Sequence, residues 1–133
     1  ILGGPNDIEI GNQISKSLSD HPNFKFENLC GQLKMKESIL AIANSSHYIG
    51  IDSGLLHFAR LLGIPTTSYW GPTNPSTLLR PFLDIKETVY YKKIPCSPCT
   101  HITEFPPCNG NNLCIQNIFK ETKGDLEWIG VIN

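Results

Sequence analysis

Short apolar stretches alternate along the chain with stripes of helical period, and glycine, proline and asparagine punctuate the joins. Residues 1–4 (Ile-Leu-Gly-Gly) read as the tail of a strand entering a tight turn. A strand normally has about five or six residues, so the chain is expected to be a piece of a longer protein. Ile10, Ile14 and Leu18, spaced by four, predict the buried face of an amphipathic helix. Asn6 or Asp7 would be its N-cap, and Asp20, Pro22 and Asn23 its stop. Phe24 and Phe26 alternate with Lys25 and Glu27, the mark of a half-buried strand.

After a turn at Gly31, a second helical stripe runs through Met35, Ile39, Leu40, Ile42 and Ala43. Residues 47–51 form a mostly apolar strand that stops at Asp52. Leu55, Leu56, Phe58, Ala59, Leu61 and Leu62 predict a third helix, apolar on most of its circumference and so deeply buried, with Gly63 as its C-terminal glycine. Residues 65–70 make the next strand, 71–75 the loop after it, and 88–91 one further short strand. An irregular stretch over 95–112 precedes a last helix from near Leu113, carrying Ile115, Ile118 and Phe119. The closing group of Leu126, Trp128, Ile129 and Val131 fits either a helix or a segment docked on the sheet.

Strands alternating with helices imply βαβ crossovers and a parallel sheet covered on both faces. The fold class is therefore α/β, with a doubly wound parallel sheet. At 133 residues the chain has the length of a single domain. Hydrophobic residues at 40% and charged residues at 17% are a globular mixture. A net charge of -1 gives no electrostatic footprint for nucleic acid or an anionic membrane. No apolar run approaches the roughly 18 residues of a membrane span, and no charged-then-apolar leader opens the sequence.

In open parallel sheets ligands bind beyond the carboxyl ends of the strands. Four joins qualify here: residues 3–7, 30–33, 52–57 and 71–74, each rich in small or polar side chains. Asp52-Ser53-Gly54 places a carboxylate, a hydroxyl and a glycine where main-chain N–H groups and a helix dipole attract an anion, with His57 one turn further on. Taken alone, the stretch fits equally a capped helix with a core histidine.

The run from Leu29 to Pro75 resembles the C-terminal half of glycosyltransferase family nine, the heptosyltransferases of lipopolysaccharide assembly. The elements that carry the resemblance are Asp52-Ser53-Gly54, His57 three residues later, Leu62-Gly63-Ile64-Pro65, and Gly71-Pro72-Thr73-Asn74-Pro75. It covers residues 1 to about 82 well and the remainder loosely. The resemblance implies a GT-B enzyme of two facing Rossmann-like halves, with residues 1–133 a truncated nucleotide-sugar-binding half. The implied donor is a nucleotide-diphosphate sugar of the ADP-heptose kind, and the implied acceptor is of lipopolysaccharide type; a GT-B transferase with a different nucleotide-sugar donor and a non-catalytic nucleotide-binding domain are the alternatives. A cytoplasmic enzyme, at most peripheral at the inner membrane, follows.

Carried over by the resemblance, Asp52, Ser53 and Gly54 meet the diphosphate and His57 its oxygens. Gly31 and Leu33 flank the nucleobase, and Thr73 and Asn74 touch the sugar or phosphate. Asp7 stands where relatives often have glutamate, one methylene shorter and available to the ribose. The general base, the phosphate-neutralising cation and most of the acceptor site are expected in the absent part. No catalytic residue is assigned here, no cofactor is required for the reaction, and residues 1–133 alone are expected to be inactive.

Of five cysteines, Cys30 stands apart, while Cys96, Cys99, Cys108 and Cys114 crowd into the segment 95–114. The odd count and the crowding suit a reducing compartment better than a stapled secreted scaffold. Cys96 and Cys99 form a Cys-x-x-Cys pair, and two more thiols complete the inventory of a structural zinc, with His101 able to replace one ligand. Two disulfides or four free thiols are the alternatives.

Overall fold

The computed structural model describes residues 1–21, 23, 25–81, 84–100 and 102–122. Leu126, Trp128, Ile129 and Val131 lie outside them, as do Phe24 and His101. Two compact units are present, Ile1–Ala41 and Ile42–Asn133.

In the first unit, a 3-10 turn (Pro5–Asp7) leads into α1 (Ile8–Ser19). The Ile1 N–H group donates to the Glu27 carbonyl, Leu29 N–H to Ile1 (2.9 Å), and Gly31 N–H to Gly3 (3.0 Å). These bonds advance by two residues on each side in the same direction, which is the spacing of a parallel ladder. The strand tail read at residues 1–4 thus has a partner in residues 27–31. Residues 25–29 carry no assigned strand, because the ladder is too short.

The buried side of α1 also differs from its apolar stripe. Ile10 and Ile14 are 58% and 42% exposed, while Gly11 is buried. A Cβ at Gly11 would lie 2.7 Å from the Cys30 sulfur and 2.8 Å from Asn28 Oδ1, so the missing side chain is what lets the helix approach that turn. Apolar spacing marks a greasy face; it does not say which face another segment fits closely. Gly31 has φ 72°, the left-handed region that favours glycine. Asp7 closes the entry turn: its Oδ2 accepts from Gly4 N–H at 2.7 Å. Asp7→Ala is expected to cost about 1 kcal/mol of stability, read by urea unfolding.

α2 (Met35–Ala43) follows, with Met35 and Leu40 exposed and Ser38 and Ile42 buried, so its inner stripe is narrower than the expected one.

The second unit holds a parallel sheet ordered β1-β2-β3: β1 (Tyr48–Ile51), β2 (Thr66–Trp70) and β3 (Glu87–Tyr91). Register pairs Tyr48 with Thr66 and Thr66 with Glu87, so Tyr48, Gly50, Thr66, Ser68, Trp70, Val89 and Tyr91 share one face. On that face lies α3 (Gly54–Leu61), whose Leu56 is fully buried against Trp70 and Val89, with Tyr48, Leu79 and Tyr91 around them. The opposite face carries Tyr69, which stacks on Tyr90 (4.9 Å between ring centroids) and on Phe119 (5.0 Å) of α5 (Leu113–Thr122). The sheet is doubly wound over β2 and β3.

Among the described residues it is not covered throughout. Ile49 and Ile51, on the α5 face of edge strand β1, are 69% and 60% exposed, against the expectation of two covered faces. Nor is α3 apolar-buried all round. Leu61 and Leu62 are exposed, and its inner side carries Arg60, paired to Glu87 and donating from Nη2 to the Arg80 carbonyl at 2.6 Å. The helix ends as expected at Gly63 (φ 71°), with Gly63 N–H on Arg60 and Ile64 N–H on Ala59, a Schellman pair. The loop expected over 71–75 gives way at its last residue to α4 (Pro75–Leu78), a single turn started by Asn74 and Pro75.

Candidate functional site

β1 and β2 are parallel neighbours, with Ile51 beside Tyr69, so the joins after them leave the same end of the sheet. The first is Asp52-Ser53-Gly54. Ser53 is the N-cap of α3 in extended backbone (φ −159°, ψ 163°), and its Oγ accepts from Leu56 N–H at 3.5 Å. The same Oγ lies 3.3 Å from the Tyr48 hydroxyl. Tyr48 reaches it by passing over Gly50, where a Cβ would fall 2.5 Å from the hydroxyl oxygen. Burial raises the Tyr48 pKa, and the Ser53 bond offsets part of that. Sequence reading passed over Tyr48. The available signal is the two-residue strand period, which sets Tyr48 and Gly50 on the face that leads to Ser53. Gly50→Val would displace the ring. It should destabilise the fold by about 1–3 kcal/mol, checked by chemical denaturation.

Gly54 stands differently. A Cβ there meets no atom within 4 Å, so packing within the chain does not require glycine at this position. His57 Nε2 lies 3.8 Å from Asp52 Oδ1, with side chains 41% and 23% exposed. That distance suits an ion pair when the imidazole is protonated. The pair is therefore partly open to solvent rather than packed in the core.

The second join is residues 71–74. Asn74 is committed to capping α4, its Oδ1 accepting from Ser76 N–H (3.0 Å) and Ser76 hydroxyl (2.9 Å). Thr73 Oγ1 is buried and has no hydrogen-bond partner among the described residues. Behind the loop, the Ser97 hydroxyl donates to the Gly71 carbonyl at 2.5 Å, and Cys99 and Thr100 N–H groups both donate to the Pro72 carbonyl at 3.0 Å. A Cβ at Gly71 would lie 2.6 Å from Ile115 Cγ1 and 2.8 Å from the Cys114 sulfur. The cysteine-rich segment thus braces the loop from behind, a contact with no signature in spacing or composition.

Asp7, Gly31 and Leu33 belong to the first unit, where Asp7 holds its own turn and Gly31 accommodates Ile8. Leu33 is half-buried.

The four clustered cysteines are all free thiols and line one cleft of about 330 Å³ with Pro72, Ile94 and Leu113. Burial raises the Cys114 pKa, with Cys99 and Cys108 adding to the rise; local N–H groups oppose it. At Cys108 desolvation raises the pKa, but N–H groups of Asn112, Leu113, Gly110 and Asn111 outweigh it and lower the value. Among the described residues no three His, Cys, Asp or Glu side chains are close enough to hold a metal ion as they stand. None of the described helices is long and apolar enough to cross a membrane.

The profile of glycosyltransferase family 9 (heptosyltransferase) matches residues 1–108. The chain belongs to that family. It is 31% identical over 75 residues to lipopolysaccharide heptosyltransferase 2 of Salmonella typhimurium, a stretch covering 56% of this chain and 22% of that protein. The lipooligosaccharide heptosyltransferase 2 of Haemophilus influenzae matches at 31% over 75 residues, with the same coverage. That of Haemophilus ducreyi matches at 33% over 78 residues, 57% of this chain and 22% of the relative. The chain thus spans about a fifth of the length of the curated relatives it matches. No solved structure matches it significantly.

Proposed function

We propose that this chain is the donor-binding part of a GT-B glycosyltransferase that moves a sugar, heptose in the first instance, from a nucleotide diphosphate to a lipopolysaccharide-type acceptor. The observation that carries the reading is the turn at Gly54. It opens a helix, bears a capping serine, keeps an Asp–His pair on its rim, and has a glycine for which packing offers no reason. A diphosphate seated there explains the glycine, because a phosphate oxygen can approach the N–H groups closely only when no Cβ intervenes.

The chemistry follows from charge. As the bond from the sugar's anomeric carbon to the diphosphate breaks, negative charge grows on the leaving group. N–H donors already aimed at it lower the barrier without reorganising. His57, donating from its ring, adds to that field, with Asp52 Oδ1 3.8 Å from its Nε2. The hydroxyl of Thr73 supplies a further donor or acceptor to the sugar or a phosphate oxygen. Gly31 and Leu33 are assigned to the nucleobase and Asp7 to the ribose.

Thermal unfolding of the protein with different nucleotide sugars tests the reading. A ligand present at about 100 times its Kd stabilises by about 2.7 kcal/mol. ADP-heptose is expected to raise Tm most. A larger rise with a UDP-N-acetylhexosamine would reassign the donor, and no rise with any nucleotide sugar would remove the reading. Residues 1–133 alone are expected to bind without transferring sugar; turnover by them would overturn the placement of the base elsewhere.

A further inference from the structure

The segment 92–112 contains no helix or strand among its described residues, yet it holds the carbonyls of Gly71 and Pro72 through three hydrogen bonds. A loop of that length inside a compact unit needs something to order it. Its own side chains supply a set of donors. Cys96 and Cys99 flank Ser97-Pro98, Cys108 begins a tight coil, and Cys114 sits in the first turn of α5. All four are unpaired, and all four line the same cleft.

The coil after Cys108 is the informative part. Asn109, Gly110 and Asn112 all have positive φ (49°, 81° and 49°), a left-handed series that asparagine and glycine suit. Asn111 N–H donates to the Cys108 carbonyl at 2.9 Å, and the coil leads directly into α5, so Cys108 and Cys114 reach the cleft that Cys96 and Cys99 also line. Four soft thiol ligands around one cleft are the donor set of a structural zinc.

We propose that Cys96, Cys99, Cys108 and Cys114 form a structural tetrathiolate site for zinc, which orders the segment bracing the Gly71–Asn74 loop. A zinc–sulfur bond of about 2.3 Å in tetrahedral geometry sets the sulfurs about 3.8 Å apart. Since no three ligands stand that close here, binding draws the cleft walls inward. Each thiol gives up its proton as its sulfur–zinc bond forms, and no electron is transferred. The cation sits behind the strand-end loop and takes no part in sugar transfer. The inference is independent of the donor assignment, since metal content is read without any nucleotide.

The test is metal content of the full-length protein, purified under reducing conditions and without chelator. Elemental analysis with native mass spectrometry should find about one zinc per chain. Replacing zinc by Co²⁺ should give the intense sulfur-to-cobalt absorption of tetrahedral thiolate coordination. Cys96→Ser and Cys108→Ser should each lose the metal nearly completely, Cys108→His should retain it, and Cys30→Ser should keep all of it. If the serine variants fail to fold, the cobalt spectrum of the unmodified protein decides. Four free thiols that take up neither Zn²⁺ nor Co²⁺ would overturn the proposal. So would a mass lower by two hydrogens for each of two disulfides, or an iron–sulfur cluster in place of zinc.

Discussion

Glu87→Ala is expected to destabilise the second unit by about 3–5 kcal/mol, the range for removing one partner of a buried ion pair. Arg60 and Glu87 have side chains only 8% and 12% exposed. Their contact joins α3 to the first residue of β3 across the face that holds Leu56, Trp70 and Val89. With the carboxylate gone, the guanidinium keeps only the Arg80 carbonyl as a partner from that group and stays cut off from water. Most of the loss is the cost of that stranded charge rather than the net worth of the pair. A double variant with apolar side chains of similar volume, Arg60→Met with Glu87→Leu, should therefore recover most of the stability. Urea unfolding of the three proteins checks both halves. A single-variant loss under 1 kcal/mol would mean that water reaches the pair.

The second large effect is on binding. Gly54→Val should leave the fold intact, because a Cβ there meets nothing and the backbone is not in the left-handed region. The isopropyl group would instead stand between the first N–H groups of α3 and an incoming phosphate. Loss of one well-aimed donor costs about 3–4 kcal/mol in comparable oxyanion sites, and blocking the approach should cost at least that. Calorimetric titration with ADP-heptose should thus show affinity reduced by about 100-fold or more, at unchanged Tm without ligand. Unchanged affinity would move the diphosphate away from this turn.

Much of this architecture was legible in residue order. β1 was apparent as a mostly apolar run stopping at Asp52, and β2 as the stretch between Gly63 and Gly71; the close of α3 at Gly63 is stereochemistry: glycine takes the left-handed cap at no steric cost. The Asp52-Ser53-Gly54 join was apparent as the turn between a strand and a helix, although the same residues fit a helix cap equally well. What escaped has a common cause. Arg60 reads as a surface residue until its partner, 27 residues away, is known. Ile10 and Ile14 read as core, but Gly11 fits closer. The bond from Ser97 to the Gly71 carbonyl spans 26 residues. Local pattern specifies propensity, whereas these features depend on which distant segment arrives and how near it comes.

The brace behind the strand-end loop has a mechanical corollary. Gly71 and Pro72 are pinned from the rear, and Asn74 is tied down as the start of α4. Thr73 is left as a bridge of one residue between two fixed piers, with its hydroxyl still unspent. Any adjustment of this rim to a guest molecule must then be absorbed in the torsions of that single residue, so the opening behaves as a stiff frame with one adjustable pin.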